Sequence, residues 1–541
     1  MTKTFLLLCI ALLTTDFCRA LEPADPKATA ETRAILKYLQ GLRKNGNRER
    51  VVSGNTLGVS GPLYNHVRGH NAGNAYYELK VWSEQVTGRF PAIVCGWPDM
   101  YSRKHWTDID KGQINYDFNP LLIRHWKQGG LVMLEPQLAN PYGALNSKRS
   151  SSRKSRMTKS EMDALSDPTK PVHKVFRRQL DAHARGIKEL ADAGVVVLYH
   201  PFVEGWGGHF WWGRKGKHFA KLWRFQFNYM TREKGLHNLI WLCDAHGDMY
   251  PGDKYLDVYA PHAYGHSSFP NVSLAQAWER NIRRGGIRNP KYPHPLMIGE
   301  CGARTARQDW NALEMLGLLK KLPRVIAYQN WSDSKLTLIG ARNTYKMIND
   351  PLILNRGELT VRGGKPHAKP AVLPDRSHIL KAWEWYTRVD GNNYKETSPG
   401  GGWRPLKPMH KRMYQVGSAM IGRVTGPGAG FTSPEKIGVE IGPGVGIEIA
   451  LVNLTDAETL QVQFTTQADR EWSDAKRLSC GITARDDFDI YDQRYRVYHL
   501  SGADTPDWKG KLKQLRVRLG SRAKEGWLRV DHVRLVTLKK K

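Results

Sequence analysis

The sequence predicts an α/β fold, a (β/α)8 TIM barrel, followed by an all-β domain of jelly-roll-like sandwich type. From residue 51 to residue 331, eight short apolar segments alternate with stretches of helical periodicity. Most of the eight are continuously apolar, as expected for parallel strands buried on both faces. Beyond residue 377, apolar and polar residues alternate instead, which is typical of antiparallel strands with one buried face.

The eight predicted barrel strands are VVSGN (51–55), FPAIVCGW (90–97), GGLVMLEPQL (129–138), VVVLYHPF (195–202), LIWLCD (239–244), YLDVYAPHAY (255–264), HPLMIGECG (294–302) and VIAYQNW (325–331). A clear helix precedes the fourth strand. Phe176, Leu180, Ile187 and Leu190 form its apolar stripe, and Gly194 ends it. We expect the barrel to occupy residues 21–350.

The composition changes after Pro351. Residues 351–376, which contain GGKPHAKPAVLP, are predicted as a linker because they are rich in Gly, Pro and Lys. The β-sandwich is expected over residues 377–541. Its clearest alternating segments are LQVQF (460–464), YRVYHL (495–500) and LRVRL (515–519).

Residues 1–20 predict a signal peptide. Lys3 precedes an apolar run, Phe5–Leu13, and a small-x-small cleavage site ends at Ala20. The run is too short to span a bilayer, so we expect no stable membrane insertion. We expect a secreted, periplasmic or cell-surface protein after cleavage.

The formal net charge is +31, from 82 Lys and Arg against 51 Asp and Glu. Inside a cell such a charge would indicate nucleic acid. Behind a signal peptide it favours an anionic polysaccharide or cell surface, or serves solubility alone, and we expect no nucleic-acid partner. The run SKRSSSRKSRMTKS (147–160) is interpreted as a solvated loop.

Four cysteines remain after the signal peptide, and their positions are far apart: Cys95, Cys243, Cys301 and Cys480. They lack metal-type spacing, so buried free thiols are expected rather than a disulfide scaffold. The histidines also lack ligand spacing, and we expect no metal and no cofactor.

Two glutamates lie where a barrel carries its chemistry, at the carboxyl ends of strands. Glu204 follows the fourth predicted strand, and Glu300 lies at the tip of the seventh, each flanked by glycine. These strands face each other across the barrel mouth. Cleavage of a glycosidic bond needs an acid for the leaving oxygen and a carboxylate on the other face of the sugar. The pair therefore predicts a glycoside hydrolase.

The stretch HPFVEGWGGHFWWG (200–213) resembles the strand-four signature of glycoside hydrolase family 26, the β-mannanase family. Other blocks fit in the same order: VVSGN, TGRFPAIVCGWPD (87–99), HWKQGGLVMLEPQLANP (125–141), YLDVYAPHAY, PLMIGECG and YQNWSD (328–333). The resemblance covers about residues 50–345 and none of the sandwich. It implies a secreted, endo-acting, retaining hydrolase of a β-linked polysaccharide such as mannan, without a cofactor.

The resemblance also implies residue roles. Glu204 corresponds to the acid/base and Glu300 to the nucleophile, with their carboxyl groups about 5 Å apart. Tyr264 is expected to hydrogen-bond Glu300, and Trp331 to form an apolar floor under the sugar. The expected substrate-binding residues are Tyr264, Trp331, Trp211, Trp206, His209, Gln137, His200 and His262. Trp211 and Trp212 would wall the cleft, although Trp212 fits the core equally well.

Several positions depart from the family pattern. Val203 replaces a histidine, Trp206 an asparagine and His209 an aromatic residue. Similarly, His200 stands for arginine, Gln137 for histidine and His262 for aspartate. The bond-breaking pair is kept while the residues that hold the sugar differ. Because imidazoles donate hydrogen bonds or carry charge near neutral pH, a uronic-acid, sulfated or β-1,3-linked polymer stays an alternative substrate.

Two other classes of protein remain open from the sequence. One is a non-catalytic glycan-binding protein on the same scaffold, and the other a polysaccharide lyase that uses Tyr264 or a histidine as base. Reducing ends of retained configuration, unsaturated ends or the absence of product would distinguish the three classes. The sandwich either binds glycan or supports the barrel, and we expect a monomer.

Overall fold

The computed structural model describes residues 22–42, 50–59, 72–99, 114–146, 148, 155–265, 276, 278–279, 294–303, 311–322, 324–331, 341–385, 402–416, 419–486 and 494–538. The predicted signal peptide and residues 149–154 of the basic run lie outside them. Among the described residues, no helix is both long and apolar enough to cross a membrane.

Eight parallel strands close into the predicted barrel. They are β1 (Gly54–Val59), β2 (Ile93–Trp97), β3 (Leu131–Leu134), β4 (Val197–Tyr199), β5 (Leu239–Cys243), β6 (Val258–Tyr259), β7 (Leu296–Ala303) and β8 (Val325–Asn330). Each strand pairs with the next, and β8 closes the ring by pairing with β1. Short strands Val51–Val52 and Ile353–Leu354 pair beside β8, and Ala263–Gly265 pairs with β7.

The described helices of the barrel region are α1 (Ala30–Gly41), α2 (Ala72–Trp82), α3 (Asn119–Lys127), α4 (Lys159–Ala164), α5 (Pro171–Asp192), α6 (Lys217–Asn228), α7 (Ala312–Lys321) and α8 (Thr344–Ile348). One π-helical turn extends α2 over Ser83–Thr87, and another extends α6 over Tyr229–Glu233. Single 3-10 turns are Pro141–Ala144, Gly247–Met249, Asp253–Tyr255 and Thr360–Arg362.

The strand and helix patterns have the expected physical cause. Every residue of β2, β5 and β8 is buried, because side chains inside the ring and helices outside it cover both faces. In α5 the predicted stripe is completely buried. Gly194 follows α5 with φ of +73°, a left-handed conformation that favours glycine and ends the helix before β4.

Parts of the predicted linker, 351–376, pack against the barrel. Leu359 is fully buried, and Arg89 forms an ion pair with Glu358. Further along, the backbone N–H of Ala371 donates to Asn349 at 2.8 Å. Gly357 and Gly363 of this segment have φ angles of +82° and +72°, the left-handed conformation that favours glycine.

The C-terminal domain consists of antiparallel strands in two sheets. The strands are β9 (Ile379–Glu384), β10 (Arg404–Leu406), β11 (Met409–Val416), β12 (Ala419–Val424), β13 (Gly430–Thr432), β14 (Glu440–Ile441), β15 (Val445–Asn453), β16 (Thr459–Thr466), β17 (Arg477–Gly481), β18 (Arg496–Ser501), β19 (Gly510–Leu519) and β20 (Gly526–Thr537). One sheet has the order β11-β12-β20-β15-β18, with β9 also on β20. The other has the order β10-β13-β19-β16-β17, with β14 also on β19. Both contribute to one apolar core.

Helix α2 joins the barrel to the first of these two sheets. The hydroxyl of Tyr77 donates to Asp531 on β20 at 3.3 Å, and its ring lies 5.2 Å from that of Tyr495. The free thiols Cys95, Cys243 and Cys301 are buried, as predicted, and Cys480 is half-buried. The barrel thus has both its own core and a contact with the sandwich.

Candidate active site

Glu204 lies in a loop directly after β4, at the mouth of the barrel. Its side chain is 16% exposed, and its φ of +54° is left-handed, as is that of Phe202 at +53°. Such backbone conformations cost free energy and persist where neighbouring contacts hold them. Here the backbone N–H of Glu204 donates to Asp244 Oδ2 at 2.6 Å, and the carbonyl of Glu204 accepts from Gly207 at 2.8 Å.

The aromatic residues after Glu204 support this loop from below. Trp211 and Trp212 expose none of their surface. The indole N–H of Trp212 donates to the carbonyl of Val203 at 2.9 Å, and that of Trp211 donates to Leu138 at 2.8 Å. The Trp212 ring stacks on Phe210 with centroids 4.4 Å apart. Trp211, which was expected to wall the cleft, is thus packed in the interior beneath the loop.

Close backbone packing completes the loop. A Cβ on Gly213 would lie 2.0 Å from the carbonyl oxygen of Gly207, so a side chain there would push the loop apart. The glycine-aromatic pattern of residues 205–213 is thus the local reason why Glu204 is held at one position.

Glu300 lies within β7 and is 4% exposed. The hydroxyl of Tyr264, on the short strand paired with β7, donates to Glu300 Oε2, as predicted from the resemblance. Next to it, a Cβ on Gly299 would lie 2.2 Å from the carbonyl oxygen of Ala260 and 3.1 Å from the His200 ring. Glycine at 299 lets the strand approach these neighbours.

His262 connects the two glutamates. Its Nδ1 lies 3.3 Å from Glu204 Oε1 and 3.2 Å from Glu300 Oε2, while the ring is 1% exposed. In this trio, a carboxylate oxygen of Glu204, a ring nitrogen of His262 and a carboxylate oxygen of Glu300 all lie within 4.8 Å of one another. The structure therefore brings together the two predicted glutamates from β4 and β7.

A third carboxyl group lies beneath Glu300. Glu135, just after β3, is fully buried, and its Oε1 is 3.0 Å from His200 Nδ1. The indole N–H of Trp97 donates to Glu135 Oε2 at 3.2 Å. The carboxyl groups of Glu135 and Glu300 are also within hydrogen-bonding reach of each other. His200, which was expected to bind substrate, thus lies against a buried carboxyl group.

The buried charges shift one another's ionisation. Burial raises the pKa of Glu300 well above its usual range, His262 opposes this shift, and Glu135 and Glu204 add to it. Burial by itself would lower the pKa of His262, but Glu300, Glu204 and Asp244 raise it to about 10. Burial lowers the pKa of His200 to about 3. These shifts favour the charged form of His262 and the neutral form of His200.

The other predicted substrate-binding residues lie in different surroundings. Trp331 is half-buried, with its ring centroid 4.3 Å from that of Trp97. Trp206 is half-buried with an indole N–H that has no partner in the described structure, and Gln137 has a buried side-chain oxygen without one. His209 is exposed. Trp331, Trp206 and Gln137 thus keep features that suit contact with a sugar.

The same carboxylates and imidazoles match a metal-binding donor set in composition. Glu135, His200 and His262 form one compact group, and Glu204, His262 and Glu300 form another. In both groups an imidazole Nδ1 atom lies at hydrogen-bonding distance from a carboxylate. Mutual hydrogen bonding accounts for the geometry of both groups.

Comparison with known proteins gives this geometry a family. The sequence profile of glycosyl hydrolase family 26 matches residues 24–315, more than half of the chain. The chain belongs to glycosyl hydrolase family 26. Strands β1 to β7 and both glutamates, Glu204 after β4 and Glu300 on β7, lie within the matched region.

Two similar proteins are named as mannan endo-1,4-β-mannosidases. It is 27% identical over 387 residues to mannan endo-1,4-β-mannosidase A and B of Caldalkalibacillus mannanilyticus, covering 68% of each chain. It is 25% identical to the mannan endo-1,4-β-mannosidase of Bacillus subtilis strain 168, covering 66% of this chain and 94% of that protein. The structure of the Bacillus subtilis mannanase BCman superimposes with a TM-score of 0.52 at 24% identity, over 63% of this chain and 96% of that one. The last comparison concerns the fold.

Three residues of the site were not predicted from the sequence of this family 26 chain: Glu135, Asp244 and Trp97. Glu135 is the one charged residue of the predicted third strand, LVMLEPQL, and Asp244 directly follows β5. Both positions meet the strand-end criterion that identified Glu204 and Glu300. Trp97 gave no comparable signal, because an apolar residue at a strand end is common in any core.

Proposed function

We propose that this chain is a secreted, retaining endo-β-glycanase that cleaves mannan or a related β-linked polysaccharide, with Glu204 as acid/base and Glu300 as nucleophile. The observation that carries the proposal is the close approach of the two carboxyl groups. A carboxylate oxygen of Glu204, one of Glu300 and a ring nitrogen of His262 lie within 4.8 Å of one another. Retaining glycosidases have carboxyl groups about 5–5.5 Å apart, whereas inverting enzymes leave about 6.5–9.5 Å for a water molecule.

In the first step, Glu300 attacks the anomeric carbon while Glu204 gives its proton to the leaving glycosidic oxygen. The glycosidic bond breaks and a glycosyl ester forms on Glu300. In the second step, Glu204 takes a proton from a water molecule, which attacks the anomeric carbon and releases Glu300. The sugar therefore leaves with its original anomeric configuration.

Neighbouring residues support these roles. Tyr264 and His262 both approach Oε2 of Glu300, which stabilises its ionised form against the effect of burial. The partly exposed carboxyl of Glu204 lies closer to solvent than that of Glu300, as an acid that must reach both a leaving oxygen and a water requires. Trp331, braced by Trp97, supplies an apolar surface beside them.

The choice of mannan rests on the relatives, which are named mannan endo-1,4-β-mannosidases. An anionic polymer in the cleft has less support, because two of the three histidines that motivated it, His200 and His262, lie against carboxylates. Export rests on the signal peptide predicted from the sequence.

A screen of galactomannan, glucomannan, β-1,3-xylan and anionic algal polymers tests the activity and identifies the substrate. Proton NMR at early times tests retention, with the β-anomer expected first. Release of the α-anomer first, or of unsaturated ends, would contradict a retaining hydrolysis.

Variants with an activated aryl glycoside test the two roles separately. Glu204→Ala is expected to lose about 10²–10⁴-fold in kcat on polysaccharide, but much less on an aryl glycoside whose leaving group needs no acid. Glu300→Ala is expected to lose activity on both. Glu233→Ala, in a half-exposed ion pair with Arg177, is the control and should match the wild type. Equal activity of all three variants would refute the assignment.

A further inference from the structure

One face of the C-terminal domain carries a row of basic and polar side chains across five neighbouring strands. In the sheet β10-β13-β19-β16-β17, the row consists of Arg404, Thr432, Arg516, Gln463 and Arg477, each paired with the next. Adjacent strands are about 4.8 Å apart, so the row extends for about 19 Å.

These side chains point away from the core. On β19 the alternate residues Leu515, Val517 and Leu519 are buried in the apolar interior, which places Arg516 and Arg518 on the opposite face. Arg518 pairs with Gln461 in the next row of the same face.

Arg516 and Arg518 have no acidic partner within the described structure. The Nε atoms of both are buried and lack a hydrogen-bond acceptor there, and the hydroxyl oxygen of Thr432 and the amide oxygen of Gln463 are likewise buried without a partner. Burial, and then the charge of Arg518, lowers the pKa of Arg516. Two adjacent guanidinium groups that are partly desolvated and repel each other cost free energy, and an anion would remove that cost.

An aromatic ring lies beside the row. Trp472, in the loop between β16 and β17, is half-buried, and the guanidinium carbon of Arg516 is 3.8 Å from its ring centroid. This contact fixes the arginine in place, so less conformational entropy is lost when it binds. The described contacts between α2 of the barrel and this domain are made with Asp531 and Tyr495. Asp531 lies on the other sheet, so its contact with α2 is not on the face that carries the row.

We infer that this face binds an anionic polysaccharide, one that carries carboxylate or sulfate groups on successive sugars, with Arg516 and Arg518 as the central contacts. Guanidinium groups bind such oxyanions through paired hydrogen bonds. The extended row suits a polymer better than a single ion, and Thr432 and Gln463 offer partners for sugar hydroxyl groups. The net charge of +31 adds long-range attraction for a polyanion.

Binding is measured with the full chain carrying Glu300→Gln, so that the result does not depend on hydrolysis. The probes are a polyuronate, a sulfated galactan, neutral galactomannan and a single-stranded nucleic-acid homopolymer of similar length. We expect at least one anionic polysaccharide to bind more than tenfold tighter than the neutral polymer and than the nucleic acid. The polyuronate and galactan arms distinguish carboxylate from sulfate.

The double variant Arg516→Gln/Arg518→Gln is expected to weaken that binding at least tenfold. The control, Arg423→Gln/Arg522→Gln, removes the same charge from arginines in exposed ion pairs of the same domain and should change affinity less than twofold. Equal loss in both variants would mean diffuse charge attraction and overturn the site. Tightest binding of nucleic acid, or no anionic preference, would overturn the assigned ligand. If the double variant fails to fold by circular dichroism, Arg518→Gln alone replaces it.

Discussion

At the scale of single residues, the unusual feature of the site is a cation placed between its two glutamates. His262 occupies a position where the family resemblance predicts aspartate, and its Nδ1 lies within 3.3 Å of both carboxylates. The charge at this position is therefore opposite in sign to that of the aspartate that the resemblance predicts. Because Glu135 adds a further carboxyl group below Glu300, the reversed sign limits the accumulation of negative charge.

Removal of this cation should shift the pH dependence of activity. His262→Asn keeps a hydrogen-bond donor near the position of Nδ1 but carries no charge. Since His262 lowers the pKa of Glu300, we expect the acid limb of kcat/KM to move up by about 1–3 pH units. His499→Asn, at an exposed histidine of the C-terminal domain, should leave the profile unchanged. An unshifted acid limb in His262→Asn would show that His262 does not control the nucleophile.

Removal of the third carboxyl should have the opposite effect. Glu135 raises the pKa of Glu300, so Glu135→Gln is expected to move the acid limb of kcat/KM to lower pH. The measurement is the same pH profile, with Glu233→Gln as control. A shift to higher pH would mean that Glu135 acts mainly as a proton donor to Glu300, which is the opposite of the expected effect.

The catalytic candidates Glu204 and Glu300 could be predicted from the sequence because strand ends are visible in apolar patterns. The roles of His200 and Trp211 could not, because a linear pattern does not give the direction of a side chain beyond the last strand residue. His200 turns inward to Glu135, and Trp211 turns into the core.

At the scale of elements, the segment after β4 combines strained backbone with rigid aromatic packing. Phe202 and Glu204 both have left-handed φ angles, and Trp212 beneath them donates to the carbonyl of Val203 between them. The tryptophans that follow Glu204 in the sequence were expected to line a cleft that holds the sugar. In the structure, Trp211 and Trp212 are buried and stabilise the loop that carries Glu204. The order of the barrel strands could be predicted because apolar patterns in the sequence mark the strands. The contacts of residues 351–376 with the barrel could not, because they depend on residues that are distant in the sequence.

Trp212→Phe tests this support. The phenyl ring keeps the stack on Phe210, but the carbonyl of Val203 loses its donor in a buried position, at a cost of about 1–3 kcal/mol in the free energy of unfolding. We also expect a lower kcat, since Glu204 is held less firmly. Trp241→Phe is the matched control, because its buried indole N–H has no partner in the described structure. Equal effects of the two substitutions would attribute the loss to ring volume alone.

At the scale of the whole molecule, the barrel that carries the site contacts the sandwich that carries the basic face through α2.

Burial of the charged imidazole of His262 makes the free energy of unfolding of the protein depend on pH. The pKa of His262 rises from about 6.5 in the unfolded chain to about 10 in the folded one. Its contribution to stability is therefore complete below about pH 6.5 and is lost as the pH rises to 10.

The thermal midpoint should report this linkage. Between pH 6.5 and pH 10, we expect the Tm of the wild type to fall more than that of His262→Asn, because only the wild type loses the bound proton. Calorimetry or circular dichroism at several pH values gives the difference. Parallel curves for the two proteins would mean that His262 is not charged in the folded state.

The position of His262 among several carboxyl groups limits which substitutions the site can accept. Replacement of His262 by aspartate would place a new carboxyl group among Glu135, Glu204, Glu300 and Asp244 with no cation between them. Such a step should abolish activity unless Glu135 is neutralised first. The effects of substitutions at positions 262 and 135 on activity are therefore expected to depend on each other.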